Sequence, residues 1–291
     1  MKTWSTPVRL EKNKIVPCCI CGFLSFKPAL NCEGFEYVRC LKCGLVQRNP
    51  QPLKEDVISR YNSAFGDDYL SYELKNEDAF FKLQQLALKD ASFFKLEKSL
   101  FKAALKETPS ILDIGCATGS LLKSLRSRLW RVTGVEISPA AEYAINKYGL
   151  DIRKIPLEEN NFSDNSFDVV LTSHLIEHLN DPRSFLEETH RILKENGSIF
   201  ITTPNISGFQ ARLFAGKWRS AIFDHLYLFS AHTLKKLLKS TGFKIVKVRT
   251  WGGIAAGIAP AWIKKSLDLL AKYCGFGDVM IIHAKKVSLK I

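Results

Sequence analysis

Ser110-Ile-Leu-Asp-Ile-Gly-Cys-Ala-Thr-Gly119 is the stretch whose reading decides the fold. Ile111, Leu112 and Ile114 make a short apolar run broken by Asp113, and Gly115 and Gly119 follow. The pattern predicts a buried strand, a turn that glycine permits, and a helix from Ser120 to Arg128. Val132-Thr-Gly-Val-Glu136 then predicts a second short strand that stops on a carboxylate. A strand, a tight turn, a helix and a strand ending in an acid make a nucleotide-binding βαβ unit. Glycines let the backbone approach a ligand closely, and the acid accepts hydrogen bonds from ribose hydroxyls. A phosphate-binding loop would need Gly-Lys-Ser/Thr after the turn, and none is present. The dinucleotide fingerprint would need glycine at 115, 117 and 120, where Ala117 and Ser120 depart from it. The expected ligand is a nucleoside without a pyrophosphate.

The 291 residues allow a sizeable core and one to two domains, and 46% apolar content is ordinary for a globular chain. No apolar run reaches the roughly 18 residues of a spanning helix, so no transmembrane segment is expected. The first residues, Met1-Lys-Thr-Trp-Ser-Thr-Pro7, carry no apolar leader, and a cytoplasmic protein is the simplest expectation. Lys and Arg number 42 against 29 Asp and Glu, a net charge of +13. That favours an anionic partner, whether nucleic acid, a phosphorylated substrate or an acidic membrane surface. A Lys-rich solvated surface explains the charge equally well.

Six of the eight cysteines fall between Cys18 and Cys43. Without a secretory leader, such clustering points to a metal rather than to disulfides. Cys18-Cys-Ile-Cys21-Gly22 and Cys40-Leu-Lys-Cys43-Gly44 are two Cys-x-x-Cys knuckles separated by 18 residues. Each knuckle brings two thiolates to one ion, and the trailing glycine permits the turn. Cys18, Cys21, Cys40 and Cys43 would close a tetrahedron with no position left for water, which makes a structural zinc site. A segment this small cannot build its own core, so metal ligation would supply the missing stability. Cys19 and Cys32 are surplus, and either could replace a ligand.

Helices are expected at Lys54–Tyr61 and over Ser71–Lys106, where Phe80, Phe81, Leu83, Leu86, Leu88, Phe93, Phe94 and Leu96 recur at helical spacing. They would lid the ligand pocket or simply pack on the sheet. After the βαβ unit, Ser138 and Pro139 open a helix to about Lys147. Asp151–Lys154 is a weak third strand, and Phe167–Thr172 a strongly apolar fourth. Asp181-Pro182 caps a helix through Leu193 that Glu195-Asn-Gly197 closes, and Ser198–Thr203 is a fifth strand. Gly208–Ser220 is an insert with Trp218. Ser230 caps a further helix, Phe243–Thr250 is a strand, and Gly277–Lys285 is the last. Between them Ala261–Tyr273 reads as an amphipathic helix, suited to a lid, packing or peripheral membrane contact. The alternation predicts an α/β fold with a doubly wound, mostly parallel seven-stranded sheet. Ligands in such sheets bind outside the carboxyl ends of the strands. Three segments follow: residues 1–52 as a zinc-ribbon-like module, 53–107 as a helical lid or linker, and 108–291 as the ligand-binding domain with a substrate-side insert at 205–232.

Asp113-x-Gly115-x-x-x-Gly119 with Glu136 resembles the first motif of the class I S-adenosylmethionine-dependent methyltransferases. Asp164–Val170, Ser173–Pro182 and Arg191–Gly197 resemble the motifs that succeed it in that family. The Cys-x-x-Cys pairs, Arg39–Val46 and Asp224-His225-Leu-Tyr-Leu-Phe-Ser230 resemble a bacterial subgroup with an N-terminal zinc module, often associated with sugar and polysaccharide pathways. The resemblance implies S-adenosylmethionine and a structural zinc ion as cofactors. It implies that Asp113, Gly115, Cys116, Ala117 and Gly119 wrap the amino-acid part of the cofactor. Glu136 would bind the ribose and Ile137 pack on the adenine. Leu157 and Glu158 would border the adenine, and Ser173 and His174 would lie under the sulfonium. Ala117 stands where glycine is common, and Pro156 where an acid is often found.

Methyl transfer from a sulfonium needs alignment and exclusion of water, and a hydroxyl acceptor also needs a base. His225, beside Asp224 near the substrate edge, is the expected base, with His178 second. The expected acceptor is a small molecule, glycan or nucleotide sugar, methylated on oxygen. An RNA or tRNA methyltransferase is the alternative from charge and zinc, though no dense basic run or RNA-binding motif supports it. A non-catalytic S-adenosylmethionine-binding scaffold is the other alternative, against which stands the intact Asp113, Gly115, Gly119 and Glu136 set.

Overall fold

The computed structural model describes residues 13–61, 64–104, 107–252 and 271–287. The N-terminal part holds β1 (Asn13–Lys14), β2 (Phe26–Cys32), β3 (Phe35–Cys40), β4 (Val46–Arg48) and β5 (Gln51–Pro52). Helices α1 (Lys54–Tyr61), α2 (Ala64–Asp90) and α3 (Phe93–Ala103) lead into the alternating part. That part runs β6 (Ser110–Ile114), α4 (Ser120–Ser127), β7 (Arg131–Val135), α5 (Ala140–Tyr148), β8 (Ile152–Arg153), β9 (Phe167–Ser173), α6 (Pro182–Ile192) and β10 (Leu193–Pro204). The chain continues through α7 (Phe209–Phe214), β11 (Tyr227–Leu228), α8 (Ala231–Ser240), β12 (Phe243–Trp251) and β13 (Val279–Lys286).

Seven strands form one sheet in the order β12-β13-β10-β9-β6-β7-β8. Strands β6 to β10 pair in parallel, and β13 runs antiparallel to both β10 and β12. Every residue of β6 is buried, which is why its apolar run is unbroken except at Asp113. At its other end Ser110 is fixed to Asp168 of β9: the backbone N–H donates at 2.8 Å and the hydroxyl at 2.9 Å. Lys194 of β10 donates to the same carboxylate, so three strand starts are held in register. On one face Phe93 stacks on Trp130 and meets Phe200 edge-on. Glu97, beneath them, accepts from Trp130 Nε1 at 2.9 Å and from Arg128.

A second sheet, β11-β4-β3-β2, joins the cysteine-bearing segment to the insert. Strand β11 pairs antiparallel with β4, so the insert supplies the fourth strand of the N-terminal sheet. Trp218, 2% exposed, packs there with Tyr37, Val46, Ala211 and Leu228. It anchors the two parts together and does not border the substrate side. Arg183 Nε and Nη2 donate to the carbonyls of Cys19 and Ile20, tying the first knuckle to the start of α6.

The expected elements shift in several places. The long Ser71–Lys106 helix is two helices, broken where Ser92 takes φ 69°, and the first begins already at Ala64. Its expected end at Leu105 and Lys106 lies outside the described residues. Leu83 and Leu86, expected in its apolar stripe, are exposed. The helix opened by Ser138-Pro139 starts at Ala140, whose N–H the Ser138 hydroxyl receives. Helix α6 ends at Ile192, and Glu195-Asn-Gly197 does not close it but forms an irregular stretch within β10. The Ala261–Tyr273 helix lies mostly outside the described residues. No helix among the described residues is long and apolar enough to cross a membrane.

Candidate active site

The turn after β6 is built as the sequence requires. Gly115 and Gly119 take φ 75° and 74°, in the left-handed region that favours glycine. A Cβ on Gly119 would stand 2.7 Å from Leu150 Cδ1 and 3.0 Å from Ala144 Cβ, so this glycine lets α4 approach α5. Ala117 also takes a positive φ, 46°, a conformation that glycine adopts more readily than alanine. Glu136, buried just past β7, receives the N–H of Ala117 at 3.0 Å and that of Ser138 at 2.9 Å. Asp113 is 3% exposed at the end of β6.

Burial, and then the charge of Glu136, push Asp113 up to about 7. Burial also raises Glu136. Glu73 of α2, which the sequence reading missed, is raised to about 7 by burial and by Glu136. Three buried or half-buried carboxylates therefore crowd one pocket, a costly arrangement that an occupant carrying positive charge relieves. S-adenosylmethionine, with its sulfonium and ammonium, is such an occupant, so the donor set fits it. Tyr61 and Tyr69, whose rings meet edge-on at 6.1 Å, belong to the same neighbourhood and were also missed. An aromatic-acidic run, Tyr69 to Glu73, marks Tyr69 and Glu73 in the sequence, and nothing local marks Tyr61. The start of α2 thus borders the pocket: a Cβ on Gly66 would come 2.8 Å from Pro139 Cδ.

The remaining expected cofactor residues surround this turn. Cys116 and Leu157 are buried, Ile137 is half-buried, and Glu158 is exposed. Ser173 ends β9 half-buried, and His174, exposed, takes φ 53° just beyond it. A cleft lined by Asp113, Thr172, Ser173 and Thr202 lies between them and Gln84 of α2.

Beyond His174 the chain makes a short 3₁₀ turn, Ile176–His178. Glu177 in that turn is 1% exposed. Its Oε2 accepts from Thr203 at 2.9 Å, while His174 Nδ1 stands 3.3 Å from Oε1 without hydrogen-bond alignment. Burial opposes it, but His174, His178 and His225 bring Glu177 down to about 2. His178 and His225, from loops after β9 and before β11, meet edge to face with ring centroids 4.6 Å apart. His178 Nδ1 donates to Asp224 O at 3.0 Å, and His225 Nδ1 to Ser220 O at 2.8 Å. Burial, and then His178, push His225 down to about 3. The two histidines expected as bases are thus brought together, with Glu177 between them as a third member that the sequence reading passed over. The signal was present: Glu177 sits directly before His178 and three residues after His174.

A shallow, solvent-open crevice lies beside His178, lined also by Arg48, Arg60, Tyr61, Phe223 and Asp224. Arg48 lies over the Phe223 ring at 3.8 Å, and Arg60 pairs with Asp224. The N-terminal segment and the insert therefore share the wall of this crevice, which meets the carboxylate pocket at Tyr61.

At the far end of that segment, Cys18, Cys21, Cys40 and Cys43 offer sulfurs that all lie within 4.8 Å of one another. Cys18 Sγ is 3.3 Å from Cys43 Sγ, and Cys21 Sγ is 3.6 Å from Cys40 Sγ. A zinc tetrahedron with bonds of about 2.3 Å has edges of about 3.8 Å, so the set fits that ion. Gly22 and Gly44 turn back at φ 68° and 82°, each donating to the first cysteine of its knuckle. Cys19 and Cys32 stand outside the cluster.

The fold and the methyl-donor pocket define an S-adenosylmethionine-dependent methyltransferase of class I. Residues 88–248 match the profile of a family described as a methyltransferase domain, and the chain belongs to that family. A protein of Methanocaldococcus jannaschii is 28% identical over 60% of this chain and 82% of its own length. The ubiquinone biosynthesis O-methyltransferase of a Pseudomonas aeruginosa strain is 33% identical over 36% of this chain. The match spans 48% of that relative, about half its length. Among solved structures, a chain of the complex between the Haloferax volcanii Trm112 methyltransferase activator and a methyltransferase superposes with a TM-score of 0.55. It is 16% identical, covering 80% of this chain and 99% of that one. A Thermotoga maritima S-adenosylmethionine-dependent methyltransferase gives 0.50 at 24% identity, covering 74% and 97%. These likenesses speak to the fold.

Proposed function

We propose that this methyltransferase transfers the methyl group to a hydroxyl of a small molecule, with glycans and nucleotide sugars the first class of acceptor. The observation that carries the proposal is the Glu177, His178 and His225 cluster, which borders the acceptor cleft and adjoins the methyl-donor pocket through Glu177 and Tyr61. Bound S-adenosylmethionine supplies an already activated methyl group on its sulfonium. Asp113, Glu136 and Glu73 meet its positive charge, Glu136 being placed for the ribose, and Tyr61 and Tyr69 cover it from solvent. The proton of the acceptor's hydroxyl leaves at the histidine cluster, where the sequence places His225 first and His178 second. Arg48 and Arg60 give the cleft an edge suited to an anionic acceptor. The similarity to ubiquinone O-methyltransferases over the central segment favours oxygen as the atom methylated. We also propose that the four thiols hold a structural zinc ion, closed to solvent chemistry because all four positions are filled. In this reading residues 1–52 are a zinc module, 53–107 a lid, and 108–291 the catalytic domain.

A methyl-transfer screen of nucleotide sugars, glycans and other hydroxylated small molecules tests the acceptor. Turnover with the acceptor found is then measured for His178→Ala and His225→Ala, and near-normal rates for both would remove the cluster from the chemistry. Methylation of an amine or of RNA in preference to every hydroxyl acceptor would overturn the O-methyl assignment.

A further inference from the structure

We propose that Glu177, His178 and His225 bind a divalent first-row cation, separate from the four-thiol cluster, and that this ion takes the acceptor through two adjacent oxygens. The three residues each offer a ligand atom, and these atoms lie within 4.8 Å of one another. Such ions hold nitrogen and oxygen ligands at about 2.0–2.2 Å, so two ligands lie at most about 4.4 Å apart. The cluster needs only a small inward shift to close on an ion.

The hydrogen bonds around the cluster prepare it for that occupant. The partners of both Nδ1 atoms, Asp224 O and Ser220 O, are carbonyls, which only accept. Both hydrogens therefore sit on Nδ1, and Nε2 of each ring carries the lone pair. Ligating histidines are oriented in this way, by a carbonyl or carboxylate on the other nitrogen. Glu177 Oε1 is buried and makes no aligned hydrogen bond; its ion-pair neighbour is His174 Nδ1 of an exposed side chain at 3.3 Å, so the oxygen keeps lone-pair capacity for a cation. Two imidazoles and one carboxylate select manganese, iron, cobalt or zinc, and leave coordination positions open. His178 lines the acceptor cleft, so those positions are within reach of a substrate entering there.

The ion's role rests on the O-methyl reading, whereas the site itself does not. An acceptor with adjacent oxygens, such as a vicinal diol, would fill two open positions. The bound hydroxyl then loses its proton to solvent at lower pH than a free one. Its oxygen attacks the methyl carbon, the carbon–sulfur bond breaks, and neutral S-adenosylhomocysteine leaves. This assignment replaces His225 and His178 as the base: the imidazoles hold the ion and solvent takes the proton.

The test is titration with Mn²⁺ of the full chain carrying a single equivalent of zinc, which the four thiolates take first, followed by electron paramagnetic resonance of the free ion. Thiolate sites disfavour Mn²⁺, so the four-cysteine cluster does not compete. One equivalent is expected to bind, and His178→Ala and Glu177→Gln are each expected to weaken binding by more than about tenfold. Glu177→Gln removes a buried charge and risks the fold. His178→Ala, at a half-buried position, is therefore the deciding variant, with an undiminished melting-temperature rise on S-adenosylhomocysteine as proof of folding. No Mn²⁺ uptake by the wild type, or unchanged uptake by folded His178→Ala, overturns the site. Mn²⁺ binding without methyl transfer to any hydroxyl supports the site and overturns the O-methyl reading. Transfer to a hydroxyl that metal stripping leaves at full rate overturns the ion's role.

Discussion

Replacing Asp113 with asparagine removes a carboxyl that burial and the neighbouring Glu136 hold up at about 7, against 3.8 in an open chain. The folded state binds this proton more tightly than the unfolded one. The group's contribution to stability is therefore fully present below 3.8 and is lost as pH rises through about 7. A gap of about three units corresponds to about 4 kcal/mol, and relaxation around the pocket brings the expected cost to about 2–4 kcal/mol at about pH 8. Asparagine keeps the shape and never ionises. The empty Asp113→Asn protein is thus expected to melt several degrees above the wild type at about pH 8, and at the same temperature near about pH 4. The same change takes away a charge that faces the cofactor. S-adenosylmethionine is expected to bind the variant more than about tenfold more weakly, which corresponds to about 1.4 kcal/mol or more of lost interaction. Thermal melts across pH, with and without S-adenosylmethionine, measure both effects in one series. Wild-type and variant curves that run parallel with pH, or a variant that melts lower at about pH 8, would refute the carboxylate-crowding argument.

Other substitutions probe the rest of the molecule. Cys43→Ser is expected to abolish binding of the proposed zinc, read by a colorimetric chelator, and to lower the melting temperature, because metal affinity in so small a segment is folding energy. Trp218→Ala leaves a cavity between the N-terminal sheet and the insert, and about 3–5 kcal/mol of lost stability is expected from denaturant unfolding. Glu97 is held below the usual carboxylate range by Arg128 and Trp130, against the burial that would raise it. Its contribution is present above the unfolded value of 4.5 and is lost as pH falls below it, so Glu97→Gln is expected to flatten the acid limb of the stability curve. That variant loses about 1–3 kcal/mol at neutral pH, since Trp130 Nε1 then faces a weaker acceptor. Gly119→Ala forces a methyl group onto Leu150 at a positive φ, and a loss of about 1–3 kcal/mol is expected in the same assay.

The parallel strands were legible because burial on both faces leaves an apolar signature that no neighbour can alter. Ser110–Ile114 and Phe167–Ser173 show this within a residue. The convergence of the Cys-x-x-Cys knuckles was legible because each spacing is local, and the four sulfurs do lie within 4.8 Å of one another. Elements set by tertiary contact were not. Ser92 breaks a continuous helical pattern with a left-handed residue that no proline or glycine announces. Residues Leu193–Gly197 look like a helix end but join a strand, through pairing with β9 far away in sequence. The site divided along the same line. Asp113, Gly119 and Glu136 stand on one βαβ unit and could be named. Glu73 and Tyr69 arrive from a helix whose docking no local pattern encodes, and Glu177 acquires its importance only when the loop carrying His225 folds beside it.

The pairing of β11 with β4 has a consequence for how the chain is made. Residues 46 to 48 leave the ribosome early, but their partner at Tyr227–Leu228 is synthesised roughly 180 residues later. Until then the edge of β4 is exposed, and the hydrophobic patch that Trp218 later covers is open to solvent. Such long-range closure is slow and leaves a sticky intermediate. The cysteine knuckles need no distant partner, so metal capture can hold the nascent segment in shape during the wait. On the zinc proposal, the supply of that ion during translation, rather than in the finished enzyme, is where this protein's yield is expected to be decided.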